Sequence, residues 1–228
     1  MFSAADMNRH QSVISTFACN HSLLSFFVLA YLITWIFWLP VIIFRIPTFV
    51  QPQYVPSIYI LPGIAFGATG SALIMAALTS GKPGLLRLLK RFLLWRVKIR
   101  WYVFAVLGLP ALKVLIGLIL SGAEALRVFS PASLAFYPAA YLSHFYFGPL
   151  FEEAAWRGFA LPRLQYHYGP LKGTIILGLL WGLWHTPVYL PSNIEKAGLI
   201  GGAANFGIFV IVALALTVIF TWLFNNTK

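Results

Sequence analysis

Of the 228 residues, 60% are hydrophobic, 17% aromatic and 9% charged, which excludes a soluble globular domain and marks an integral membrane protein. Lys and Arg number 16 against 5 Asp and Glu, but the basic residues fall between apolar runs, so the excess reads as membrane sidedness and not as nucleic-acid binding. A single cysteine, Cys19, rules out an intrachain disulfide and a cysteine-based metal site.

In chain order, residues 1–21 read as a polar, mobile N-terminal tail, and the apolar run after them is too long for a signal-peptide core. Residues 22–228 form one transmembrane domain. Its first span is expected over about Ser22 to Phe44, with Trp35, Trp38 and Pro40 near the far end. The second, about Ser57 to Ser80, carries Gly63, Gly67, Ala68, Gly70, Ser71 and Ala72, small residues that let helices approach closely. From Lys82 to Arg100, seven basic residues interleave with leucine and phenylalanine and no acid intervenes. That stretch is expected to lie as a helix in the interface against anionic lipid. The third span, about Trp101 to Ser121, contains Lys113, which snorkels or pairs with a carboxylate such as Glu124. A fourth, about Leu134 to Leu161, is long enough to need a bend, for which Pro149 is the evident cause. Gly173 to Leu190 follows, bent at Pro187, and the last span runs from about Leu199 to Phe224 and includes Asn205. The fold expected is an all-α polytopic transmembrane bundle of about six spans plus a basic interfacial helix.

Charge counting gives the sidedness. Placing the tail, Lys82–Arg100, the Arg157–Lys172 region and Lys228 on one side collects 12 basic residues there, against Arg45, Arg127 and Lys196 opposite. Both termini are then expected in the cytoplasm.

Two of the five acids, Glu152 and Glu153, are adjacent within the fourth span. Insertion scales put an ionisable side chain at the bilayer centre at about 3 kcal/mol, so such residues turn towards a protein interior or a wet cavity and suggest a functional site. Glu153 and Arg157 are four apart, hence neighbours on one helix face in the favourable order. Glu152 lies about 100° further round without a cation beside it, suited to take a proton from water. In the next apolar segment a lone histidine, His185, follows Trp181 by one turn. By helical rise from the flanking basic loop, Glu153 and His185 can meet at one level.

Glu152-Glu153-x-x-x-Arg157-Gly158 followed by Trp181-x-x-x-His185 resembles the first two motifs of the CAAX prenyl endopeptidase and bacteriocin-processing family of intramembrane proteases. That family's pattern has Phe where this chain has Trp181. The resemblance implies an endopeptidase in which Glu152 activates a water and His185 places it or stabilises the developing charge, with Glu153, Arg157 and Trp181 in support. It implies a peptide or protein substrate, prenylated for eukaryotic relatives, and bacteriocin maturation or immunity for bacterial ones. A bacterial plasma-membrane setting is expected. No cofactor is expected; one His and two Glu could hold zinc, but Glu153 is committed to Arg157. The family's last motif, His-x-x-x-Asn on a further helix, has no counterpart here, since no histidine follows His185. The chain therefore reads as shortened relative to the family, and the alternative function is that of an impaired member acting as a membrane binding or immunity protein. His144 and Asn205 are the remaining candidates for that side of the site, Asn205 more naturally as a helix-helix bond.

Overall fold

A computed structural model describes residues 13–46, 49–50, 55–56, 58–129, 131, 135–139, 141–142 and 148–227. Its principal helices are α1 (Val13–Asn20), α2 (Ser22–Ile43), α3 (Ser71–Arg91), α4 (Ile99–Val103), α5 (Leu109–Ser121), α6 (Pro149–Glu153), α7 (Leu161–Trp184) and α8 (Thr186–Asn226). π-wound segments lead into three of them: Gly63–Gly70 into α3, Phe104–Gly108 into α5 and Ala154–Ala160 into α7. A two-residue antiparallel pairing, Phe49–Val50 with Val55–Pro56, is the sole strand contact among the described residues. Four described segments are long and apolar enough to cross a membrane: Ser22–Ile43, Gly63–Arg91, Ile99–Ile119 and Thr186–Asn226. The protein is an all-α polytopic membrane bundle.

The two other expected spans take a different form, and proline accounts for both. Gly148 leaves helical space (φ −144°, ψ −79°) and Pro149 occupies the first turn of α6, so it starts a helix instead of bending one. A missing N–H costs nothing there, because first-turn N–H groups have no intrahelical partner. Likewise α7 ends at Trp184 and α8 begins at Thr186 with Pro187 in its first turn, which leaves His185 at a helix break. Gly169 (φ 79°) turns the chain inside α7, and Gly198 (φ 71°) does so inside α8.

Helix α2 shows how the bundle is sorted. Phe26, Phe27, Ala30, Thr34, Trp38 and Val41 are buried along one face. Leu32, Ile36, Leu39 and Ile43, on the other, are exposed and apolar, as a lipid-facing surface requires. Against the buried face lies the Gly63–Gly70 segment, close enough that a Cβ on Gly67 would sit 1.8 Å from Thr34 Oγ1 and 2.8 Å from its Cα. The Thr34 hydroxyl donates to the Gly63 carbonyl at 3.0 Å and Trp38 Nε1 to the Ile60 carbonyl at 2.9 Å. Both acceptors lie where regular α pairing is lost, and lipid offers no water in its place. The expectation of small-residue packing holds here. A second close approach joins α7 to α8, where a Cβ on Gly178 would fall 2.9 Å from Leu214 Cα.

Other differences from expectation lie at the edges. Within the tail, Val13–Asn20 is helical, Ala18 is buried and the Cys19 thiol donates to the Leu78 carbonyl at 3.3 Å; residues 1–12 lie outside the described residues. The basic stretch is helical from Lys82 to Arg91, beyond a turn at Gly81 (φ 59°) that an L side chain adopts at a cost, and regains helix only at Ile99. Repulsion among cations without an acid disfavours continuation. The Val97 N–H and the Tyr102 hydroxyl instead share the Trp95 carbonyl, leaving Leu93, Leu94 and Trp95 exposed. The Ile99–Ile119 segment has none of its apolar window buried and meets α8 through Trp101 and Phe104 against Trp222. The side chain of Lys113 lies outside the described residues.

Among the described residues, members of the two charge groups lie apart. Arg91 Nη1 donates to the Arg157 carbonyl at 3.3 Å, placing the Lys82–Arg100 stretch and the Arg157 region at one end. Arg45 pairs with Glu195, beside Lys196, at 3.4 Å, at the far end of α2.

Because Gly67 abuts the Thr34 backbone as well as its short side chain, Gly67→Leu should destabilise the fold by about 1–3 kcal/mol or more. A lowered thermal midpoint in detergent, against little change for a leucine at exposed Gly207, is the measurement that checks it.

Candidate active site

The site begins where α6 begins. The Gly148 carbonyl accepts the N–H groups of Phe151 and Glu152, both at 3.0 Å, and the Thr69 hydroxyl donates to the Phe151 carbonyl. This tight first turn directs Glu152 inward, where it is 8% exposed. Its Oε2 accepts two indole N–H groups, Trp181 Nε1 at 2.7 Å and Trp156 Nε1 at 3.3 Å. Trp156 is fully buried, edge-on to Phe26 and Trp184 with centroids at 5.7 and 5.4 Å, so its donor is held in place by packing. A buried carboxylate needs such partners because the surroundings offer little water.

Glu153 turns the other way. Its Oε1 meets Arg157 Nη1 at 2.8 Å, the expected (i, i+4) pair. The guanidinium lies 4.9 Å from the ring centroids of both Trp181 and Phe220, a cation-π setting, while its Nε and Nη2 find no hydrogen-bond partner. Glu153 is 39% exposed and, with Arg157, lines a cavity of about 1030 Å³ between the Phe92–Trp101 turn and the end of α8. One carboxylate thus faces the protein interior and the next an open chamber.

His185 sits at the break between α7 and α8. Its Nδ1 is 2.9 Å from the Trp181 carbonyl; a carbonyl only accepts, so the proton resides on Nδ1 and Nε2 keeps a lone pair. Trp38, Trp181, Trp184, Tyr189 and Phe209 surround the ring at centroid distances of 4.8–6.4 Å. Carbonyls near the break are taken up by α2: Trp35 Nε1 donates to the Trp184 carbonyl at 2.9 Å, and the Tyr31 hydroxyl to that of Leu180.

Trp181 therefore contacts both motifs, its indole bonding Glu152 and its carbonyl His185. The five residues singled out in the sequence form one cluster. Trp156, Tyr31, Trp35, Tyr189 and Phe209 were not anticipated; Tyr189 lies within electrostatic reach of Glu152. The signal for Trp156 was its (i, i+4) spacing from Glu152, overshadowed by the ion pair one residue on. Asn205 is exposed instead of held between helices, because its face of α8 points away from α7. His144 lies outside the described residues. Among the described residues, no three His, Cys, Asp or Glu side chains are grouped as a metal shell.

Residues 134–228 match the family described as type II CAAX prenyl endopeptidase Rce1-like, and both motifs lie inside that match. This part of the chain is similar to the type II CAAX prenyl endopeptidase family. CAAX prenyl protease 2 of Methanococcus maripaludis is 34% identical over 74 residues, 32% of this chain. The chain spans 27% of that relative's length in the match. No solved structure matches the chain.

If Glu153 and Arg157 act as a pair, Arg157→Met should destabilise more than Arg157→Met combined with Glu153→Gln, since the single change strands a carboxylate. A double-mutant cycle on thermal unfolding in detergent should return a coupling of about 1–3 kcal/mol, and additive effects would show that the pair is not coupled.

Proposed function

We propose that the chain acts as an intramembrane endopeptidase of the CAAX type, and the observation that carries this reading is the Trp181 link between the buried Glu152 carboxylate and the His185 turn. Glu152 takes a proton from a water, whose oxygen attacks the scissile carbonyl carbon. The lone pair on His185 Nε2 accepts a hydrogen bond from the same water and aims it. As the tetrahedral intermediate collapses, the carbon-nitrogen bond breaks and Glu152 returns its proton to the leaving amine. Glu153 and Arg157 keep the start of the helix in register and border the chamber through which a peptide reaches the site.

With Glu153 engaged by Arg157 and Glu152 by two indoles, this scheme is metal-free. The substrate class is a peptide or protein C-terminus bearing a prenyl group, an assignment supported by the name of the archaeal relative and by the apolar side chains, Phe92, Leu93, Leu94 and Leu150 among them, that line the chamber beside its cations. The basic end of the molecule, and with it the chamber, faces the cytoplasm.

Reconstituted in phosphatidylcholine vesicles and given a farnesylated peptide ending in Cys-aliphatic-aliphatic-X, the protein should release the terminal tripeptide. Glu152→Gln should lower kcat by about a thousandfold with KM little changed, and His185→Gln by a similar factor. Undiminished cleavage in Glu152→Gln ends the proposal. Peptide binding without cleavage, unaffected by that change, would instead mark a binding or immunity protein.

A further inference from the structure

A second, smaller cavity of about 110 Å³ opens between α3 and the start of α7, and three arginines, Arg87, Arg91 and Arg163, line it together with Ser80. It has room for several waters or one phosphate group. Arg87 and Arg91 are four apart on α3 and so share a face. Arg163 comes from the other wall: its Nη1 donates to the Phe159 carbonyl at 3.0 Å and its guanidinium stacks 3.7 Å from the Phe159 ring centroid. Arg91 is fixed through the Arg157 carbonyl. Burial, and then the charges of Arg91 and Arg87, push the Arg163 guanidinium below its ordinary value.

Three cations gathered round one hollow repel each other. The ion pairs among the described residues, Arg45–Glu195 and Glu153–Arg157, involve none of them. An anion at the centre would offset that repulsion, and planar guanidinium forks suit phosphate oxygens. The hollow lies at the basic end, near exposed Leu93, Leu94 and Trp95, side chains of the kind that sit at the headgroup level.

We propose that this cavity binds a phosphate group, supplied by the headgroup of an anionic membrane lipid. The site does not depend on the proteolytic reading, but it touches that machinery: Arg91 lies on its wall and also holds the carbonyl of Arg157, so an occupied hollow steadies the turn that carries the Glu153–Arg157 pair.

Native mass spectrometry of the detergent-solubilised protein, offered equal amounts of phosphatidylglycerol and phosphatidylcholine, tests it. Wild type should retain phosphatidylglycerol in preference, and Arg163→Gln should weaken that retention about tenfold, the loss of one charge-assisted bond. Arg87→Gln, at an exposed side chain, should do the same and keeps the test open if Arg163→Gln fails to fold. Lys172→Gln, an exposed cation outside the cavity, should leave retention as it was. Equal retention of the two lipids, or equal losses in all three variants, overturns the site. A thermal midpoint raised by inorganic phosphate in wild type but not in Arg87→Gln, with no effect of phosphatidylglycerol, overturns the assignment to lipid and leaves a free-phosphate site.

Discussion

The hydrogen bond from the Trp181 indole to Glu152 is the contact on which the candidate site depends, because it connects two parts of the chain that share no helix. On one side is the first turn after Gly148, with the π-wound segment behind it; on the other is the end of α7. A carboxylate within the bilayer has to find donors inside the protein. Here they are indoles, and each indole is itself walled in by other rings. The aromatic cluster formed by Phe26, Phe27, Trp38, Trp156 and Trp184 is thus both the core of the bundle and the mould that fixes the polar atoms.

The helix breaks belong to the same logic. A continuous helix through His185 would consume every backbone carbonyl around it in its own ladder. Ending α7 at Trp184 and restarting at Thr186 leaves the Trp184 carbonyl for the Trp35 indole of α2 and the Trp181 carbonyl for the His185 ring, while the Tyr31 hydroxyl of α2 adds a bond to the Leu180 carbonyl one turn earlier. Helices α2 and α7 are tied at one level by bonds that gain strength where water is scarce. The Glu153–Arg157 pair, half open to the large chamber, is the more accessible member of the acidic couple.

Much of this was legible in the amino-acid sequence. Apolar runs, small residues around Gly67 and the grouping of basic residues are signals that lipid imposes on any bundle, and they located four of the six expected spans, one close helix contact and the described parts of the two charged ends. The four-residue spacing of Glu153 and Arg157 gave their pair directly. Pro149 and Pro187 were read as bends and proved to be starts, since a proline signals a disturbance of the helix without saying on which side of it the regular part lies. Trp156 and Trp181 as donors to one oxygen were harder to see: an indole is apolar by composition and reveals its N–H only when a carboxylate arrives from elsewhere in the fold. The loss of helix after Arg91 was likewise invisible, because its leucine and arginine content favours a helix locally while crowded cations oppose it.

The donors that hold Glu152 are neutral and have no proton to lose in water's working range. Salt, which screens exposed ion pairs, has little hold on a bond between a buried carboxylate and an indole. The orientation of that side chain should consequently persist through changes of ionic strength in the adjoining aqueous phase. Whatever reaches the acid from the chamber meets a group whose aim is set by the backbone turn beneath it and by donors that ring packing holds in place.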